Sequence, residues 1–87
     1  MSVEILYKAS VLKELKRLDR AESLRILERI DTDLARHPGK DKALAGAFKG
    51  LFSYRVGDYR IVYQIEDKVL VVYVIRIAHR KEVYRGL

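Results

Sequence analysis

A chain of 87 residues has room for one small domain with one core, so residues 1–87 are expected to fold as a single unit. Hydrophobic residues at 49% and charged residues at 34% exclude a disordered chain, and a formal net charge of +6 steers it toward polyanions or an acidic protein partner. The absence of cysteine excludes disulfide frameworks and thiolate metal sites; no leader-like N-terminus and no apolar run of spanning length set a cytoplasmic expectation without membrane contact.

Val3 to Lys8 alternates weakly and reads as a short first strand, with Ser10 as the N-cap of a helix. In that helix Val11, Leu15 and Leu18 fall at helical spacing with Leu12 beside them, while Lys13, Glu14, Lys16 and Arg17 face outward. Asp19 and Glu22 have capping-box spacing and open a second helix, with a stripe of Leu24, Leu27, Ile30 and Leu34, Ile26 alongside, and Pro38-Gly39 as its stop. So short a break predicts an αα-hairpin. Residues 39 to 51, with Gly39, Gly46 and Gly50 among Lys40, Lys42 and Lys49, read as a basic loop. Three strands follow as a meander, Leu51 to Val56, Tyr59 to Glu66 and Val69 to Ala78, joined by Gly57-Asp58 and Asp67-Lys68. The third is nearly all β-branched, which predicts a central strand buried on both faces. The polar stretch from His79 to Leu87 reads as a loop, a helical turn or a tail. The fold class is therefore α+β: strand, helix, helix, three strands, an antiparallel sheet with the αα-hairpin on one face and a short C-terminal tail or helix.

The chemistry concentrates in the hairpin from Tyr54 to Tyr63. A tight turn with Gly57 at its first central position sets Val56 opposite Tyr59 and Arg55 opposite Arg60. Two like charges facing each other cost up to about 1 kcal/mol, which points to an anion that would turn the repulsion into a clamp. In this register Ser53, Arg55, Arg60 and Val62 share one face, and Tyr54, Val56, Tyr59 and Ile61 form the core face. Arg80, just past the last strand, can lie near Arg60. Guanidinium groups grip phosphate bidentately and stay charged, so Arg55, Arg60 and Arg80 suit the stabilisation of a phosphoryl group; the alternative is three solvated arginines. Tyr84 offers a stacking surface for an unpaired base, or an aromatic anchor for the C-terminus. Tyr7, Tyr54, Tyr59, Tyr63 and Tyr73 read as core or core edge. His79 has the side chain best suited to proton exchange near neutral pH, His37 suits a helix C-terminus, and Glu82 is either a proton acceptor or a salt-bridge partner of Arg80, Lys81 or Arg85. No metal-ligand spacing, P-loop, G-x-S-x-G or H-E-x-x-H occurs, which leaves nucleotide hydrolysis, redox, and serine or zinc hydrolase chemistry without support.

The element order, with Lys49-Gly50-Leu51, the hairpin from Tyr54 to Tyr63 and the closing Ala78-His79-Arg80-Lys81-Glu82-Val83-Tyr84, resembles the RelE branch of the RelE/ParE toxins of bacterial and archaeal toxin-antitoxin systems over almost the whole chain. The hairpin recurs in both branches; the tail discriminates between them. The resemblance implies a metal-independent endoribonuclease, an mRNA interferase that depends on the ribosome, cuts mRNA in the A site by 2′-hydroxyl attack on the adjacent phosphate and so inhibits translation. It leaves open a ParE-like DNA gyrase inhibitor without nuclease activity, and a domain that persists only as an antitoxin's partner in a repressor complex. It also implies Arg60 and Arg80 as phosphate-contacting arginines and Tyr84 as the tyrosine that stacks on an mRNA base. Where the best-known member has two lysines before the turn, this chain has Ser53 and Arg55; Arg55 keeps the charge and Ser53 does not, so His79 and Glu82 become the candidate bases. Lys13, Lys16, Arg17, Lys40, Lys42, Lys49 and Lys81 are expected to meet RNA phosphates on the ribosome. The implied partners are a cognate RelB-like antitoxin, the ribosome with its mRNA, and DNA only indirectly through the antitoxin. No cofactor is implied.

Overall fold

A short strand, β1 (Glu4–Tyr7), runs directly into the helix α1 (Ala9–Arg17) in the computed structural model, which describes residues 3–66 and 71–87. The backbone N–H of Lys8 still donates to the carbonyl of Val74 at 3.0 Å, so sheet pairing continues to the first helical residue. Lys8 therefore holds the capping position and Ser10 lies inside the first turn, not at the N-cap. Asp19 does stand at the N-cap of α2 (Arg20–Arg29), but its carboxylate caps nothing: the Ser23 N–H is met by the Asp19 backbone carbonyl at 3.0 Å, and Glu22 pairs with Arg25. A π-helical turn, Ile30–Leu34, extends α2, with the Ala35 N–H reaching the Ile30 carbonyl at 2.9 Å. Its wider winding keeps Ile26, Ile30 and Leu34 on one buried line. Leu24, two residues before Ile26 and nearly opposite it around the helix, is 55% exposed instead of lining the core.

The sheet has five strands. After β2 (Lys42–Ala43) and a 3-10 turn at Gly46–Phe48 come β3 (Phe52–Val56), β4 (Tyr59–Glu66) and β5 (Val71–His79), in the spatial order β1-β5-β4-β3-β2. The β3-β4-β5 meander is antiparallel, as expected, with Arg55 opposite Arg60 and Val56 opposite Tyr59. Two features correct the sequence reading. The first strand pairs with β5 in parallel, Glu4 with Val71 through Tyr7 with Val74, so the sheet is mixed and not antiparallel. Part of the basic loop is also a strand, Lys42 pairing with Ser53 and Ala43 with Phe52. Neither was encoded locally: four residues of weak alternation carry no strand direction, and β2 forms because β3 offers it backbone partners. The expected turn at Asp67-Lys68 and strand start at Val69 lie outside the described residues.

Val11, Leu15, Ile26, Ile30 and Leu34 pack against Tyr54, Val56, Ile61, Tyr63, Val72, Val74 and Ile77, so both helices cover the same face. Along β5 the register shifts, Val62 facing Arg76 and Tyr63 facing Val74, which leaves Ile75 as an extra residue. Before this bulge the even positions Val72 and Val74 point to the helices; after it, Ile77 and His79 do. Arg76 and Ala78 thereby join Arg60 and Val62 on the opposite face. The expectation that β5 is buried on both faces does not hold, since only Val72, Val74 and Ile77 are buried and the residues between them are half-buried.

Val62 and Val83 are fully buried yet lie outside the helix-side core. They mark a second, smaller contact on the far face, to which the C-terminal segment folds back as a chain of turns. The Arg80 N–H bonds the Asp58 carbonyl at 2.7 Å, Glu82 N–H that of His79 at 2.8 Å and Arg85 N–H that of Glu82 at 3.0 Å. From β5, Arg76 Nη1 donates to the Val83 carbonyl at 3.1 Å and to that of Arg85.

Candidate functional site

The Gly57-Asp58 turn fixes the arginine pair because Gly57 takes φ +58°, the left-handed value that a two-residue hairpin requires at its first central position. Arg55 is exposed and its Nε donates to the Gly57 carbonyl at 3.2 Å; Arg60, directly opposite, is half-buried. Among the described residues neither has a carboxylate partner, and nor does Arg80. Arg80 is exposed, and its backbone bond to Asp58 ties the start of the tail to the hairpin tip. Tyr84, 38% exposed, stacks on Phe48 with ring centroids 5.5 Å apart and planes 28° apart. Ser53 shares the arginine face by strand parity but is only 5% exposed, and its hydroxyl is buried without a hydrogen-bond partner among the described residues.

His79 goes elsewhere. It pairs with Tyr59 across the strands, its ring edge-on to that ring at 5.9 Å, on the helix-side face. Its Nδ1 accepts the Lys81 N–H at 3.2 Å, which leaves Nε2 to carry the proton of the neutral ring. With Glu82 it lines a cleft of about 270 Å³, shared with Glu14, Arg17 and Tyr59, where β5 extends past the end of β1. Here Glu14 serves the free strand edge: its Oε1 accepts the Ile77 N–H at 3.0 Å while its Oε2 lies 4.0 Å from Arg76 Nε. The two candidate bases thus meet each other at this edge; Arg60 stands on the far face, whereas Arg55, bent toward the turn, lines a second cavity of about 510 Å³ together with His79 and Tyr59. The bulge at Ile75 is the cause, because unbroken alternation from Val74 would turn His79 to the side of Arg60.

The lysines are dispersed. Lys13, Lys16 and Arg17 are exposed on α1, Lys42 on β2, and Lys49 and Lys81 on turns. Lys40 is held 3.1 Å from Asp33, whose other oxygen accepts the Tyr54 hydroxyl at 2.8 Å. The Tyr54 bond and then Lys40 hold the Asp33 carboxyl below its usual range, while burial and the same carboxylate push the Tyr54 phenol up. Tyr63 donates to Asp41 at 2.7 Å and accepts the Gly39 N–H at 3.1 Å; burial raises its phenol, and burial raises that of Tyr7 to about 12. These tyrosines are structural, as their positions in the strands suggest.

Two residues of the far face were not singled out from sequence. Arg76 is the one charge in the run from Val71 to Ala78, and that isolation was its signal. Phe48 sits in a loop that sequence pattern leaves without a role, and nothing local marks it.

A family model described as "ParE toxin of type II toxin-antitoxin system, parDE" matches residues 5–84. Toxin RelG of Mycobacterium tuberculosis is 41% identical over 54 residues, 61% of this chain, which spans only 62% of the length of that relative. Toxin RelE of the same organism is 36% identical over 78 residues, 88% of this chain and 80% of the relative. The solved toxin-antitoxin complex RelBE2 from Mycobacterium tuberculosis is similar with a TM-score of 0.86 at 28% identity, over 92% of this chain and 100% of that one.

Proposed function

The chain belongs to the ParE toxin family of type II toxin-antitoxin systems, and we propose that within it the protein works in the RelE manner, as a ribosome-dependent endoribonuclease that cuts mRNA in the A site. The observation that carries this reading is the Arg55–Arg60 pair, without a carboxylate partner among the described residues, on the same sheet face to which the tail carrying Tyr84 folds. Identity to two toxins named RelG and RelE supports the branch.

In the reaction the 2′-hydroxyl oxygen of one nucleotide attacks its own 3′-phosphorus. A bond forms to phosphorus, the bond to the 5′-oxygen of the next nucleotide breaks, and a cyclic phosphate and a 5′-hydroxyl result. The attacking hydroxyl loses a proton and the leaving oxygen gains one, so the chain must supply charge stabilisation and proton traffic. Arg55, Arg60 and Arg80 supply the first, holding the phosphoryl oxygens as negative charge grows. His79, which shares the hairpin-tip cavity with Arg55, and Glu82, its neighbour in the edge cleft, are the candidates for the second. Stacking on Tyr84 turns the nucleotide toward in-line attack. Lys13, Lys16, Arg17, Lys42, Lys49 and Lys81 serve as contacts to ribosomal phosphates, which makes binding weaken as salt rises. The net charge of +6 suits an acidic antitoxin, and the solved RelBE2 complex supports such a partner.

The test is primer extension on mRNA in a purified translation system, beside naked mRNA. Cuts confined to A-site codons and seen only with ribosomes are expected, with Arg60→Ala or Arg80→Ala slowing them by about 10²-fold. His79→Ala and Glu82→Gln then separate the two bases. Intact mRNA under every condition, or full activity in both arginine variants, overturns the reading. The ParE description of the matching family favours one alternative, gyrase inhibition by binding alone; supercoiling by purified gyrase, unaffected by the chain, excludes it.

A further inference from the structure

Tyr84 is 38% exposed although its ring is stacked on that of Phe48, with centroids 5.5 Å apart and planes 28° apart. The two rings arrive from separate segments, each independently braced. Phe48 ends the 3-10 turn, which is closed by Lys49 N–H to the Gly46 carbonyl at 3.1 Å and Leu51 N–H to the Phe48 carbonyl at 3.1 Å, and its loop is drawn together by Leu44 N–H to the carbonyl of Leu51, the residue before β3, at 2.9 Å. Tyr84 follows the buried Val83, whose carbonyl is held by Arg76. A half-buried aromatic on a hydrogen-bonded loop is thus set against an exposed aromatic on a tail.

We propose that Phe48 is a positioning residue for the nucleobase. It fixes the plane of the Tyr84 ring in the free protein, so that a base added to the outer face completes a three-ring stack of base, Tyr84 and Phe48. The inference rests on the reading of the protein as an mRNA endoribonuclease that stacks a base on Tyr84, and it assigns to that site a residue outside the arginine and tail motifs. A tyrosine alone on a C-terminal segment samples several rotamers, and a base must order the ring as it binds. A ring already stacked on Phe48 has lost that freedom before the substrate arrives, and the binding interaction is then available to align the phosphate. An aliphatic residue at the same position would bury the tail as well but would not set a ring plane.

The experiment uses the full chain on mRNA-programmed ribosomes, with single-turnover rates measured across ribosome concentration for Phe48→Ala, Phe48→Leu and Phe48→Tyr. Phe48→Ala and Phe48→Leu should each lower the saturating rate by about 3- to 10-fold with little change in half-saturation, and Phe48→Tyr should restore it. In a Tyr84→Ala background Phe48→Ala should add nothing, since it acts only through that ring. In the free protein, the ring-current shift of the Tyr84 aromatic protons should disappear in Phe48→Leu while the rest of the spectrum is kept. Wild-type rates in Phe48→Leu, or an equal loss from Phe48→Ala with and without Tyr84, would overturn the inference and leave the nuclease reading standing. An unmutated chain that cuts no mRNA overturns that reading and the inference with it.

Discussion

Val83 controls how firmly the tail is docked, and Val83→Ala measures it. The side chain is fully buried although it lies in a polar segment. The substitution removes two methyl groups, at about 0.8 kcal/mol per buried group a loss of about 1.6 kcal/mol, or about 15-fold in the docking equilibrium. The carbonyl bonds from Arg76 and the Phe48–Tyr84 stack remain. Because the tail joins the far face of the sheet and not the helix-side core, its opening is a local event. Amide hydrogen exchange reads it directly. The amides of Glu82 and Arg85, bonded to the carbonyls of His79 and Glu82, should exchange about 15-fold faster in the variant, while those of Ile61, Val72 and Val74 keep their rates. Unchanged exchange at Glu82 and Arg85 would refute the docking argument. Equal acceleration at Val72 and Val74 would refute the tail's independence, because Val83 would then belong to the global folding unit.

Asp33 has a pKa lowered by its bonds to Tyr54 and Lys40, so it stabilises the fold above the unfolded-state value of about 4 and ceases to do so as pH falls through its folded value. Thermal midpoints of wild type and Asp33→Asn should differ near neutral pH and converge in acid; a constant gap down to strongly acidic pH would contradict the linkage. Ser53→Ala removes a buried hydroxyl that has no partner, so urea unfolding should show unchanged stability or a gain of up to about 1 kcal/mol, and a loss would mean the hydroxyl is satisfied after all. Gly57→Ala puts an L side chain at φ +58° and its Cβ 2.7 Å from Arg25 Nη2. The arginine end can move, so the backbone dominates the cost of about 1–2 kcal/mol by the same measurement, and an unchanged midpoint would refute the assigned turn.

The hairpin was legible because its information is local. A two-residue turn fixes register, and period-two alternation then assigns Tyr54, Val56, Tyr59 and Ile61 to one face and Ser53, Arg55, Arg60 and Val62 to the other, as observed. The αα-hairpin was legible for the same reason, although Ile26 and not Leu24 supplies the core contact. What failed was non-local. The parallel pairing of β1 and the recruitment of β2 depend on which backbone groups are left open by other strands. The bulge had no marker either: Val74 and Ile75 are both β-branched, and neither glycine nor a turn residue signals the slip. That single extra residue decides the face of every side chain after it. It sends His79 to the helix side and brings Arg76, which anchors the tail, to the far face, and no residue in the sequence announces either placement.

The division of labour between the two faces explains how a small domain tolerates such a site. Facing Arg55 with Arg60 costs at most about 1 kcal/mol, and one fully buried aliphatic side chain is worth about 1.5–3 kcal/mol. The helix-side core holds many of these, Val11, Ile26, Ile30, Val72 and Val74 among them, so the repulsion is carried without a ligand. The far face can then be specialised by attachment instead of by packing. Arg80 N–H fastens the tail to the hairpin tip, Arg76 fastens its middle, and Phe48 receives its aromatic end. The three partners of the tail belong to different segments: the hairpin turn, β5 and the 3-10 turn before β3. The tail is therefore positioned by several segments of the β half at once, and the bulge at Ile75, by turning Arg76 to the face of Arg60, is the step that lets β5 hold it there.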